Sequence, residues 1–397
     1  DDKYVCEKCV EDKYLKNIIN ENVDEKRCDY CGWCSQNKIA APIEVVLEKI
    51  AAALSYYFCE PTNAGVPWDG GWVIKPTYTE DALMGLPLEC HDDLFADIAG
   101  SFYNDAWVPA ADGHWASSHN NQVLFGSWND FVNTIKHDTR YFFDVGTGST
   151  VTDPQGYEPR YMLSAIAKVV TDNLLVKVMQ TGMRFSRARE KHRKVAWVPN
   201  AETMGAPPSD LAKAGRMNPA GISYLYLAFD NATALAEVIQ SPPVKVVIAE
   251  FKLSKDIRVL DLYDLPPQPS LFDASHRELR EGLIFLDKFI EEISKPVRKD
   301  GREHVDYVPS QVVCEYFARA FHIGNEFAPL DGIIYPSAIR KGGRNLVLFP
   351  TERGYGREFA PVTFVGAFEL SLNDWGEVAS EIVSKQGAQV MGSRLES

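Results

Sequence analysis

The sequence predicts an α+β protein built in three parts, and three observations carry that prediction. Five of the eight cysteines fall within the first 34 residues, at Cys6, Cys9, Cys28, Cys31 and Cys34. From about residue 40 to 178, apolar residues recur mainly at helical spacing. From about Met183 the pattern changes to short apolar, β-branched runs separated by helical stretches, as in an α+β domain. The expected divisions are a metal-binding module over 1–40, a mainly helical domain over 41–180, and a sheet domain with a C-terminal extension over 181–397. A chain of 397 residues is long enough for two or three cores, and 45% apolar with 24% charged residues excludes collagen-like and largely disordered classes.

The cysteines carry the first specific signal. Cys6-x-x-Cys9 and Cys28-x-x-Cys31 are separated by 18 residues, the spacing at which paired knuckles close four thiolates around one Zn²⁺. Free thiols or two short disulfides are the plainer alternative, which a reducing cytosol and the doubled motif both disfavour. Cys34 competes with Cys31 for the fourth position, since Cys28-x5-Cys34 also fits. The shorter knuckle, with Gly32 permitting the tight turn, is preferred. Four thiolates leave no open position for substrate, so the expected zinc is structural.

Beyond this module, Pro42 suits a helix start, and Ile43, Val46, Leu47, Ile50 and Leu54 carry the helix to about Phe58. Pro61 to Gly85, rich in Gly, Pro, Trp and Thr, reads as an irregular connector. Further helices are expected over Cys90–Tyr103, from a Ser127 cap through Trp128, Phe131, Val132 and Ile135, and over Tyr161–Val176. Strands are expected at Tyr224–Phe229, Val244–Leu253, Ile257–Leu262, Gly332–Tyr335, Leu346–Phe349 and Val362–Leu370, with helices near 231–240, 276–294 and 310–322.

Charge narrows the function. Forty-one Lys and Arg against 55 Asp and Glu leave −14, which disfavours nonspecific attachment to nucleic acid or anionic membrane. No apolar run approaches the roughly 20 residues of a spanning helix, and the charged start is unlike a leader, so a soluble, cytoplasmic chain is expected. Any phosphate site must be a local positive patch. Two segments offer one: Arg184 to Lys194, with Arg187, Arg189, Lys191 and Arg193 between, and Arg340, Lys341 and Arg344 around Gly342-Gly343. Each could equally be a solvated face.

Gly215-Arg216-Met-Asn218-Pro-Ala-Gly221 places an Arg and an Asn between turn formers, immediately before the run holding Tyr226. Glu237 follows in an otherwise apolar helical segment. A carboxylate buried there is costly unless paired, so it is expected to face a partner or a polar cleft, although a purely structural ion pair would satisfy the same pattern. An Arg that clamps phosphate, a stacking Tyr and a lone carboxylate suit a substrate with a diphosphate, a flat ring and a bond whose cleavage develops positive charge.

Met204-Gly-Ala-Pro-Pro208, the Gly215–Gly221 block, Tyr224-Leu-Tyr226-Leu-Ala228, Thr233-Ala-Leu-Ala-Glu237, Tyr335-Pro-Ser337 and Gly343-Arg-Asn345-Leu-Val-Leu-Phe349 together resemble the RES domain over about 183–350. The helical region before it resembles the HEPN/RES N-terminal domain of longer members. The resemblance implies a mixed sheet core similar to ADP-ribosyltransferase toxins, and cleavage of the nicotinamide–ribose bond of NAD⁺. Phosphate, water or a macromolecule would be the acceptor. It also implies a toxin or defence role, NAD⁺ depletion, and an antitoxin or trigger as partner. Carried over residue by residue, Arg216 would hold the cofactor phosphates, Tyr226 would pack on nicotinamide or ribose, Glu237 would stabilise the oxocarbenium-like charge, and Ser337 would orient ribose or phosphate. Arg184 and Arg187 are further phosphate ligands by the same route, followed by Asn218, Arg340, Arg344 and Asn345, each of which could instead fix a turn. Compact RES toxins lack the cysteine module and the helical region, so the usual antitoxin arrangement need not transfer.

Two other readings stay open: ADP-ribosylation of a protein or nucleic acid, and a zinc-knuckle protein that binds a nucleic-acid trigger without catalysis. HEPN-type Arg-x4-6-His pairs occur only by count, at Arg187/His192 and Arg298/His304, outside the helical region. His91, His114 and His119 are expected to be ordinary hydrogen-bonding residues, and Trp107, Trp115, Phe125 and Trp128 core packing.

Overall fold

The computed structural model describes residues 3–143, 155–191, 197–295, 301–324, 326–350 and 362–381, except 376 and 379. His192, Arg193 and Lys194 of the basic segment, and Arg298, lie outside the described residues. Two compact units divide the chain. The first comprises Asp1–Gly126, Thr152–Gly156 and Pro267–Phe285; the second comprises Ser127–Val151, Tyr157–Pro266 and Leu286–Ser397.

In the first unit, β1 (Tyr4–Cys6) pairs antiparallel with β2 (Ala40–Pro42), which closes the cysteine segment into a loop. Within it, α1 (Lys13–Glu21) starts at Asp12, whose carboxylate accepts from the amides of Tyr14 and Leu15. α2 (Glu44–Tyr57) buries Val46, Ile50, Ala53 and Leu54, the apolar stripe expected from its spacing. β3 (Phe58–Cys59) pairs with β4 (Val108–Pro109). α3 (Thr79–Met84) and α4 (Asp92–Gly100) complete the helices, so the expected irregular connector ends in a helical turn. Leu15, Ile19, Ile50, Leu54 and Leu94 form one core with Cys6, Cys9 and Cys28.

α5 (Asn120–Asn133), whose residues from Ser127 on belong to the second unit, runs into a π-helical turn at Thr134–Asp138. Ser127 is therefore no cap: the helix begins seven residues earlier, and the buried Ser127 hydroxyl accepts from the Tyr157 amide at 2.8 Å. α6 (Pro159–Asp172) begins on Pro159 and stops short of the expected Val176, because Leu174 turns the chain at φ +53° into β5 (Val176–Met179). β6 (Arg184–Glu190) is a strand where the sequence showed only a run of charge, with Phe185 and Ala188 buried. There follow α7 (Ala201–Met204), β7 (Leu225–Ala228), α8 (Asn231–Val238), β8 (Val244–Leu253), β9 (Ile257–Asp261), α9 (Arg277–Ser294, in this unit from Leu286 on), α10 (Glu303–Asp306) and α11 (Val308–Arg319). A small hairpin of β10 (His322–Ile323) and β11 (Glu326–Phe327) precedes β12 (Gly332–Pro336), β13 (Arg344–Leu348) and β14 (Val362–Leu372).

Eight strands form one mixed sheet in the order β14-β8-β6-β7-β13-β12-β9-β5, in which β12 and β9 run parallel and the other neighbours antiparallel. One face packs Phe185, Leu225, Leu227, Val247, Phe251 and Leu346. On the other, Ala188, Ala228, Val246 and Ile248 pack against Ala234 and Leu235 of α8. β6 meets β7 at a single pair, Ser186↔Ala228, although it pairs with β8 along its whole length. The sheet is split there, and the split adjoins the site.

Candidate active site and cysteine centre

α8 is capped by Asp230, which accepts from the Thr233 amide and hydroxyl. Its apolar residues face the sheet, and Glu237, in its last turn, is exposed. The expected burial of this carboxylate is thus absent, but the expected polar partners are present. Glu237 Oε1 accepts from Ser337 Oγ at 2.6 Å and from Asn345 Nδ2 at 2.7 Å. Asn345 is buried on β13 directly opposite Tyr335 of β12, and Ser337 follows the end of β12. Two adjacent strand ends and one helix end thereby deliver three side chains to one point.

The turn between β12 and β13 fixes Ser337 further. Its hydroxyl accepts from the Arg340 amide at 3.0 Å, and its own amide donates to the Gly343 carbonyl at 2.9 Å. Arg340 Nη1 donates to Thr233 Oγ1 at 2.9 Å and to Asp230 Oδ2 at 3.4 Å, so this guanidinium locks the turn to the start of α8.

The Gly215–Gly221 loop is organised by Asn218. Its buried amide donates to the carbonyls of Lys213, Pro219 and Ile222, and its Oδ1 accepts from Tyr226 Oη at 2.7 Å. The Met217 amide donates to the same phenol at 3.1 Å. Burial raises the Tyr226 pKa well above the ordinary phenol value. Gly215 is required by close approach: a Cβ there would lie 2.6 Å from Asn218 Oδ1 and 2.8 Å from Tyr226 Oη. Arg216 Nη1 donates to the Ile293 carbonyl at 3.3 Å, and the Arg216 carbonyl accepts from Ser310 Oγ.

Tyr335 joins the two halves. It is buried, and burial raises its pKa, followed by the charges of Tyr226 and Glu237, while Arg216 acts in the opposite sense. The sequence reading missed Tyr335 as a site residue, although it stands two positions before Ser337 and shares the face of Asn345.

Arg187 fills the split in the sheet. Its Nη1 donates to the Tyr226 carbonyl at 3.0 Å, its Nε is buried without a partner among the described residues, and burial lowers its pKa to about 10. Arg184, by contrast, pairs with Glu250 on the neighbouring strand and is exposed. Arg344 stacks over Phe229 at 4.2 Å and Tyr263 at 5.2 Å. Strand alternation sends it to the face opposite Asn345. The structure brings Glu237, Ser337 and Asn345 together, with Tyr226 on the same face of the sheet as Asn345 and Arg216 in the loop fixed to the Tyr226 phenol; Asn218, Arg340 and Arg187 support them. Arg184 and Arg344 stand apart.

In the first unit the sulfurs of Cys6, Cys9, Cys28 and Cys31 all lie within 4.8 Å of one another, with Cys6–Cys31 at 3.5 Å, Cys9–Cys28 at 3.6 Å and Cys6–Cys9 at 3.9 Å. Sulfurs about 2.3 Å from a tetrahedral ion are separated by about 3.8 Å, so the cluster fits a zinc knuckle. Gly32, at φ +69°, makes the turn that returns its amide to the Cys28 carbonyl. Cys34 lies outside the group, which settles its competition with Cys31. Burial raises the Cys6 thiol to about 12 and the Cys9 thiol further, and a cation would take the place of those protons. Among the described residues no histidine joins the cluster. Nor is any described helix long and apolar enough to cross a membrane.

Comparison with family models matches residues 21–148 to HEPN/RES N-terminal domain 1 and residues 184–369 to the RES domain. Neither the curated proteins nor the solved structures searched give a match. A RES domain supports an NAD⁺-related toxin or defence role. Its match begins at Arg184 on β6 and ends on β14, enclosing the Glu237 site, and the N-terminal match covers most of the helical region before it. The chain therefore carries a RES domain, preceded by a HEPN/RES N-terminal domain.

Proposed function

We propose that the chain consumes NAD⁺ by cleaving its nicotinamide–ribose bond, with water or phosphate as acceptor. The observation that carries this reading is the Glu237 carboxylate, oriented through one oxygen by Ser337 and Asn345. A carboxylate preorganised in this way stabilises positive charge developing on the ribose carbon as the C–N bond lengthens, and nicotinamide leaves with the bonding pair. The acceptor oxygen then bonds to that carbon and gives up its proton to solvent or product. Arg216 would hold the diphosphate, and the fixed phenol of Tyr226 would bound the nicotinamide ribose. The four N-terminal thiols would hold a structural Zn²⁺. Loss of NAD⁺ would arrest the cell containing an active copy, which calls for an antitoxin or a trigger.

The test is incubation of the purified chain with NAD⁺, with and without inorganic phosphate, and chromatography of the products. Nicotinamide is expected with ADP-ribose in water and with a phosphorylated ADP-ribose in phosphate. Glu237→Gln should slow its release on the order of 100-fold. If NAD⁺ stays intact under both conditions, the reading fails. Label transferred to a protein or nucleic acid would assign ADP-ribosyl transfer instead.

A further inference from the structure

A cavity of about 410 Å³ opens within the second unit, lined among others by Trp128, Val132, Lys136, Arg216, Arg302 and Tyr307. Arg216 is part of its lining, and neither Glu237 nor Ser337 is. Its charged lining is Lys136, Arg216, Lys295 and Arg302 against Glu292 and Asp306, an excess of two positive charges in a chain whose formal charge is −14. Lys295 pairs with Glu292 at the rim. Deeper in, Lys136 Nζ donates to Asp306 Oδ1 at 3.1 Å, and its side chain is only 19% exposed. One carboxylate contact uses one of the three ammonium protons and leaves capacity for an incoming oxygen. Trp128 and Val132 form an apolar wall, which lowers the local dielectric and strengthens charge pairing inside.

Lys136 reaches this position from the π-helical turn Thr134–Asp138, a rare geometry that recurs at functional sites. Trp128 and Lys136 belong to the stretch matched to the HEPN/RES N-terminal domain, whereas Arg216 belongs to the RES match. We infer that this cavity is a phosphoryl-anion site, for which the N-terminal family region supplies Lys136 and the Trp128 wall beside Arg216. The anion is either the diphosphate of the dinucleotide or free inorganic phosphate. In the first form the inference rests on the proposed NAD⁺ chemistry, and in the second it does not.

The experiment measures binding of ADP-ribose and of inorganic phosphate to the full chain by calorimetry, alongside KM and kcat for NAD⁺. Lys136→Met should weaken the bound anion about tenfold, the equivalent of one charge-assisted hydrogen bond, and Lys136→Arg should restore it. Asp306→Asn should tighten it, because a like charge is removed. A lost structural ion pair would not produce that gain. A change confined to ADP-ribose, with KM raised and kcat kept, assigns the diphosphate. A change confined to phosphate assigns the free anion. Equal affinities for both ligands in Lys136→Met, Asp306→Asn and the unaltered chain overturn the site even if NAD⁺ is consumed. Anion binding that depends on Lys136 in a chain that leaves NAD⁺ intact upholds the site and defeats the NAD⁺ reading alone.

Discussion

At the scale of residues, Glu237 depends on its two donors to different degrees. Ser337 sits on a turn fixed by its own backbone contacts, whereas Asn345 is buried on a central strand and its amide has Glu237 as partner. Asn345→Ala should therefore cost more than Ser337→Ala: about 1–3 kcal/mol of stability as well as activity, against a loss confined to kcat. Thermal unfolding measured together with nicotinamide release separates the two. Asn218 is the other residue whose replacement has a definite outcome. It donates to three carbonyls and accepts one phenol, so Asn218→Asp, isosteric but without the NH₂ donors, should loosen the Arg216 loop by about 1–3 kcal/mol. If the melting temperature of Asn218→Asp equals that of the unaltered chain, this account of the loop is wrong.

At the scale of elements, the knuckles and the sheet were legible to different extents. The doubled Cys-x-x-Cys and the β-branched runs are local patterns, and the structure has the four thiols together and strands where those runs lie. β6 was not legible as a strand because Arg184, Arg187 and Arg189 interrupt any period-two pattern, and its buried Phe185 and Ala188 lie three positions apart on opposite faces of the sheet. Ser127 misled for the opposite reason: a helix-capping residue type occupies a buried interior position where a long-range amide, that of Tyr157, uses its hydroxyl. The cysteine element should respond to chelation. Because Cys6, Cys9 and Cys28 belong to the same core as Leu15, Ile50 and Leu94, metal removal should lower the unfolding temperature of the first unit rather than merely free a tail. Circular dichroism of the chelated chain, with zinc restored as control, reads this directly.

For the whole molecule, pH dependence on the alkaline side follows from buried phenols. Burial raises the pKa of Tyr224, Tyr226 and Tyr335 in the folded chain. The unfolded chain releases those protons first, so the stabilisation is intact below about pH 10 and declines as pH rises beyond it. Tyr335→Phe should make the alkaline limb of stability less steep in denaturant titrations.

By itself the sequence determined what depends on neighbours along the chain: the cysteine spacing, the helical stripe of α2, the strand runs, the loop around Arg216, and through motif order the RES domain. Glu237, Ser337 and Asn345 could be named singly, since each sits in a recognisable block. That one carboxylate oxygen receives both donors was decided only by the tertiary structure, because residues 100 and 108 positions away meet it through strand register and helix packing. The tertiary structure also sent Arg344 to the opposite face, gave Arg184 to Glu250, and set Lys136 and Arg216 on the lining of one cavity. Proximity across a sheet or a cavity arises from packing, and packing leaves no period in the sequence from which it can be read.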